Sequence, residues 1–103
     1  MDEINIITPK DLEERLSNED QTIQVVDVRE DEEVEIGKIK EAVHIRLAEI
    51  PERMDEIDSS KTIVLVCRSG RRSERAAQFL QSQGYQVLNM DGGMLKWQGE
   101  VIS

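Results

Sequence analysis

The sequence predicts an α/β fold: a three-layer α/β/α sandwich on a mostly parallel sheet of about five strands. Three observations carry this. Apolar, β-branched runs alternate along the chain with amphipathic segments, which is the rhythm of strands joined by crossover helices. The run "KTIVLVC" at 61–67 is apolar almost throughout, as a strand covered on both faces must be. Phe79, Tyr85 and Trp97 are the only aromatics, so the core is built from Ile, Val and Leu.

The elements follow in order. "INII" at 4–7 is a short first strand. Thr8 then caps a helix with Pro9 in its first turn, and Leu12 and Leu16, four apart, mark its inner face. "TIQVVDV" at 22–28 is a buried strand, and "EDEEVEIG" at 30–37 a short helix stopped by Gly37. Five acids in the six residues 30–35 read as a solvated helix start, where carboxylates suit the positive end of the dipole. "EAVHI" at 41–45 is a brief strand. "LAEIPERMDEI" at 47–57 places Leu47, Ile50, Met54 and Ile57 at helical spacing, with a break or new start at Pro51. After the central strand, "RSERAAQFLQSQG" at 72–84 is an amphipathic helix with Ala76, Phe79 and Leu80 inward. "YQVLNM" at 85–90 is the last strand, and "DGGMLKWQ" at 91–98 a turn and short helix in which Trp97 packs as core. Residues 1–103 form a single domain, since 103 residues are enough for one compact domain and too few for two.

Composition narrows the function. A net charge of -9 argues against nucleic acid and anionic membrane as partners, because both select basic surfaces. No apolar run approaches the ~20 residues of a membrane span, and the acidic N-terminus lacks a signal-type apolar core, so a cytoplasmic protein is expected. One cysteine makes no internal disulfide, and one cysteine with one histidine gives no zinc spacing; neither metal nor cofactor is expected.

Against this acidic background, "VLVCRSGRRSERAA" at 64–77 gathers four arginines around Cys67. Sheets of this kind place ligands beyond the carboxyl ends of their strands, where Cys67 falls. Gly70 lets the chain curl tightly, so that successive backbone amides converge on one centre and the following helix adds its positive end. Arg68, Arg71 and Arg72 add permanent charge. All three contributions favour thiolate over thiol. An unperturbed cysteine is only about 3% ionised at pH 7, and lowering its pKa by about two units ionises most of it. No GxxxxGK[ST] loop is present, and His44, in an apolar strand context, reads as a satisfied edge or loop histidine rather than a base. A nucleophile without a base suits substrates whose leaving group departs easily: sulfane sulfur, phosphate esters, or oxyanions such as arsenate.

The segments "VVDVRE" at 25–30, "CRSGRRS" at 67–73 and "MDGGMLKW" at 90–97, in this order, resemble a single-domain rhodanese over nearly the whole chain. The resemblance implies the rhodanese-like fold and a sulfurtransferase that forms a persulfide on Cys67, with its terminal sulfur in a ring of loop amides. The family's loop has six residues, here Cys67 to Arg72. Related phosphatases and arsenate reductases carry one more, and the C-x5-R signature would need arginine where Ser73 stands. The resemblance thus favours sulfur over phosphate. A phosphatase- or arsenate-reductase-like enzyme and a non-catalytic docking module are the competing readings; inactive relatives usually lack the cysteine. By the same resemblance Arg68 and Arg71 guide an anionic donor such as thiosulfate, Arg72 belongs to the substrate loop and points toward the sheet or anchors that loop, Ser69 hydrogen-bonds the bound sulfur or the loop backbone, and Gly70 lines the substrate site. Asp27 and Arg29 form a supporting ion pair, with Ser73 behind the loop. The persulfide would pass to cyanide, a small thiol or a partner protein's cysteine, because no second thiol exists in the chain. "GKIKEA" at 37–42 departs from the family's "GHIPGA" in a segment that lines the mouth in relatives.

Overall fold

The computed structural model describes residues 3–103. Its strands are β1 (Ile6–Ile7), β2 (Ile23–Asp27), β3 (Val43–His44), β4 (Thr62–Val66) and β5 (Gln86–Met90). The helices are α1 (Pro9–Ser17), α2 (Asp31–Ile36) and α3 (Arg71–Ser82). The strands form one sheet in the order β1-β5-β4-β2-β3, and every pairing among them is parallel. β4 lies at the centre, with Val64 opposite Val25 of β2 and Leu88 of β5.

The period-two geometry of β4 divides its side chains between two cores. Ile63 and Leu65 join Ala76, Ala77 and Leu80 of α3 on one face. Val64 and Val66 join Leu12 of α1 and Met90 on the other. All four β4 residues are fully buried. Each is worth about 1.5–3 kcal/mol of burial, which is why residues 63–66 are apolar without a break. Thr8 caps α1 by accepting a hydrogen bond from the Asp11 amide at 3.1 Å, with Pro9 at the first helical position.

Three segments depart from the sequence reading. β1 and β3 hold two residues each, because an edge strand has a partner on one side only. Residues 47–57 form two 3-10 turns, Leu47–Glu52 and Met54–Glu56, instead of α-helix. Pro51 has no N–H to continue an α ladder, and the chain breaks at Arg53 rather than at the proline itself. α3 begins at Arg71, one residue earlier than the 72–84 reading, because Gly70 takes the helix-entry position with φ +105. The connection from β4 is thereby only four residues, 67–70, and Arg71 and Arg72 belong to the first turn of the helix.

Candidate active site

Cys67 follows β4 at the carboxyl edge of the sheet and is completely buried. The tight turn through Gly70 folds the chain back so that the Gly70 amide donates to Sγ at 3.0 Å. The Ser73 hydroxyl lies 3.2 Å from the same sulfur, one turn into α3. Burial pushes the thiol up, and it is the largest single influence. The Ser73 hydroxyl and the amides of Ser73, Gly70 and Ser69 together outweigh it, so the thiol titrates below its ordinary value.

This redistributes the electrostatics expected from sequence. Among the influences that lower the thiol, hydrogen-bond donors lead, and guanidinium charges do not. Arg68 and Arg71 are exposed on the outer side of the turn, as is Ser69. Arg72 is turned onto Glu33 of α2, with which it makes two bonds at 2.6 and 2.8 Å. Arg72 is held protonated chiefly by Glu33 and to a lesser degree by the Cys67 sulfur. Arg72 in return keeps the Glu33 carboxyl down at about 2. Glu33 also accepts from the Glu30 amide at 2.9 Å, closing the first turn of α2. The acidic run read as a solvated helix start therefore also contributes one residue that ties α2 to α3.

Asp27 and Arg29 sit where β2 ends. Asp27 is completely buried, and its carboxylate receives Arg29 Nε at 3.0 Å and Nη2 at 2.8 Å. Arg29 Nη2 also donates to the Gly37 carbonyl at 2.8 Å, so the pair clasps the far end of α2. His44 Nε2 donates to the Arg29 carbonyl at 2.7 Å. β2 stands between His44's strand and β4, which keeps the imidazole away from the sulfur as a general base. Lys38 turns its ammonium onto carbonyls of its own segment, those of Ile39 at 2.9 Å and Ala42 at 2.8 Å.

Two parts of the site went unread in the sequence. The turn 91–93 does more than reverse the chain: the Met94 amide donates to the Cys67 carbonyl at 2.8 Å and that of Leu95 to Arg68 at 3.0 Å. A side chain on Gly93 would lie 2.4 Å from the Arg68 carbonyl oxygen, so this close approach requires glycine. Asn89 of β5 donates from Nδ2 to the Gly70 carbonyl at 3.0 Å, and its Oδ1 meets the Ser73 hydroxyl at 2.5 Å. An asparagine among the apolar residues Val87, Leu88 and Met90 at the carboxyl end of β5 is the signal that could have found it. Among the described residues no group of three or more His, Cys, Asp or Glu side chains is placed to hold a metal ion, and no helix is long and apolar enough to cross a membrane.

Comparison with known proteins gives the family and the fold. The family model "Rhodanese-like domain" matches residues 8–100. The chain is 45% identical over 98 residues to the Bacillus subtilis protein named "Putative sulfurtransferase YtwF", covering 95% of this chain and 94% of that one. It is 38% identical over 95 residues to a protein of Allochromatium vinosum named "Sulfurtransferase", covering 91% and 88%. Among solved structures, a rhodanese-like domain protein from Staphylococcus aureus superposes with a TM-score of 0.86 at 33% identity, over 94% of each chain.

Proposed function

The chain belongs to the rhodanese-like domain family, and we propose that it moves sulfane sulfur through a persulfide on Cys67. The observation that carries this reading is the donor set on the sulfur: the Gly70 amide at 3.0 Å and the Ser73 hydroxyl at 3.2 Å, with no imidazole beside them. These donors favour a nucleophilic thiolate without a base.

The Cys67 thiolate attacks the outer sulfur of thiosulfate, or the terminal sulfur of a persulfide or polysulfide. The S–S bond of the donor breaks, and sulfite or a thiolate leaves with the electron pair. The new persulfide carries its negative charge on the terminal sulfur. An external thiolate then attacks that sulfur, the Cys67–sulfur bond breaks, and Cys67 returns as thiolate while the acceptor leaves as a persulfide. With cyanide the product is thiocyanate. A single cysteine requires that acceptor, a small thiol or a partner protein's cysteine, to come from outside. Arg68 and Arg71, exposed beside the turn, draw in the anionic donor, and Ser69 and Gly70 supply amides to the sulfur. Arg72 bounds the pocket from its bond to Glu33, and Asp27, Arg29 and Ser73 support the turn from behind. The chemistry suits a reducing compartment such as the cytoplasm.

Intact-protein mass spectrometry after incubation with thiosulfate, or with a polysulfide, tests this. The expected result is the gain of one sulfur atom on Cys67, removed by cyanide and absent from Cys67→Ser. No gain with any donor class would overturn the proposal.

A further inference from the structure

The Ser73 hydroxyl is completely buried and stands between two acceptors, Cys67 Sγ at 3.2 Å and Asn89 Oδ1 at 2.5 Å. A hydroxyl has one hydrogen to donate. The orientation of the Asn89 carboxamide is settled by its other contact. The Gly70 carbonyl only accepts, so the group 3.0 Å from it is the Asn89 NH2, and the oxygen faces Ser73. With Cys67 as a neutral thiol, every group is served: S–H donates to Ser73 Oγ, and Ser73 O–H donates to Asn89. With Cys67 as a thiolate, the sulfur needs the Ser73 hydrogen, and a buried amide oxygen loses its donor.

We propose that Asn89 is a positioning residue that competes with Cys67 for the single hydrogen of Ser73, so that this hydroxyl turns to the sulfur when it is charged and back to Asn89 when it is not. A persulfide moves the charge to the terminal sulfur and leaves Sγ a weak acceptor, so loading also returns the hydroxyl to Asn89. That last step rests on the sulfur-transfer reading; the competition itself does not. Asn89 is bonded to the Gly70 carbonyl, and the Gly70 amide is bonded to the sulfur, so the switch is wired to the turn that must hold the transferred atom.

The charged groups on the turn and the elements packed against it are Arg68 and Arg71 at the turn, Arg72, Glu74 and Arg75 of α3, with Arg72 on Glu33 of α2, the closed Asp27–Arg29 pair at the end of β2, and Asp91 and Lys96 in the segment after β5. None changes when residue 73 or 89 is replaced by a neutral one. The experiment is the ionisation midpoint of Cys67, read from thiolate absorbance and from the pH dependence of iodoacetamide alkylation, in four proteins: unmodified, Ser73→Ala, Asn89→Leu and the double variant. Removing the competitor should lower the midpoint by about half a unit, which is roughly threefold faster alkylation below the midpoint. Ser73→Ala should raise it, and Asn89→Leu should have no such effect on that background. A merely structural role for Asn89 predicts the opposite sign, because loosening Gly70 withdraws its amide from the sulfur. A midpoint unchanged or raised by Asn89→Leu, or lowered equally in both backgrounds, overturns the proposal. Should the leucine variant not fold, NMR of the unmodified protein decides. The Asn89 side-chain amide should shift with the Cys67 titration, and a constant signal overturns the competition. No sulfur donor enters these measurements, so a failure to form persulfide leaves them intact.

Discussion

The turn between β4 and α3 holds Cys67 from two sides, and the two sides are built differently. On the inner side the partners are neutral and buried: Ser73 and Asn89, hydrogen-bonded to the sulfur and to the Gly70 carbonyl, and Gly93, packed against the Cys67 and Arg68 carbonyls. On the outer side they are charged and wet: Arg68 and Arg71 face solvent, and Arg72 is taken up by Glu33. Neutral donors held away from water act on the sulfur at close to full strength, whereas exposed charges are screened within about 8 Å at physiological salt. Ionisation therefore belongs to the inner side, and the capture of an anionic donor that we propose belongs to the outer one. Substitutions on each side should separate these effects.

The largest effect is expected from Gly93→Ala. Its added carbon would sit 2.4 Å from the Arg68 carbonyl oxygen and 2.6 Å from that of Cys67, both backbone atoms that cannot swing aside. Relieving the clash separates the turn from the amides of Met94 and Leu95. A loss of about 3 kcal/mol or more follows, a melting temperature lower by roughly 12 °C in a domain of this size. Calorimetry measures it. Gly70→Ala is milder and tests the same side. Its added carbon has room, the nearest atom being the Gly92 nitrogen at 3.6 Å, so the cost is the positive φ of +105 alone, about 1–2 kcal/mol. The Gly70 amide then leaves the sulfur, and the thiol midpoint should rise in the alkylation profile.

What was legible in the sequence divides along the same line. Elements written in local patterns were readable: Thr8 and Pro9 opening α1, the apolar run of β4, and Cys67 at its carboxyl end. The resemblance added the expectation of persulfide chemistry on which the proposed function rests. Contacts between residues far apart in the chain left no local mark. Asn89 reaches Gly70 across 19 positions and Glu33 reaches Arg72 across 39. Arg72 thus reads in sequence as one more charge near the thiol, while in the fold its charge is answered by a carboxylate. Residues 47–57 have helical spacing in their apolar positions, but i to i+3 spacing also suits 3-10 turns, and Pro51 decided between them.

Glu33→Gln tests the outer side at moderate cost. The Glu33 carboxyl is held at about 2, below its usual 4.5, chiefly by the bonds from Arg72. A depressed carboxyl stabilises the fold fully above its unfolded value, and that contribution is lost as pH falls through about 2. At neutral pH the variant should lose about 1 kcal/mol, discounted because both side chains are partly in water. Its stability should also fall less steeply with acid than that of the unmodified protein. Urea unfolding at pH 7 and at pH 3 checks both, and parallel acid limbs would show that the pair contributes nothing.

The smallest shift in ionisation, and the sharpest separation, is expected from Arg68→Ala and Arg71→Ala. Both side chains are exposed, and neither guanidinium is among the leading influences on the Cys67 thiol. At a few ångströms in water a unit charge is worth about 1 kcal/mol before salt, and less after it. The thiol midpoint should therefore move by less than about 0.3 units. Thiosulfate carries two negative charges and must still approach past these residues. The KM for thiosulfate should rise about threefold or more for each substitution, with a weaker dependence on ionic strength and little change in kcat. A full-unit rise in the thiol midpoint for Arg71→Ala would move control of ionisation back to the outer side and erase the division between the two.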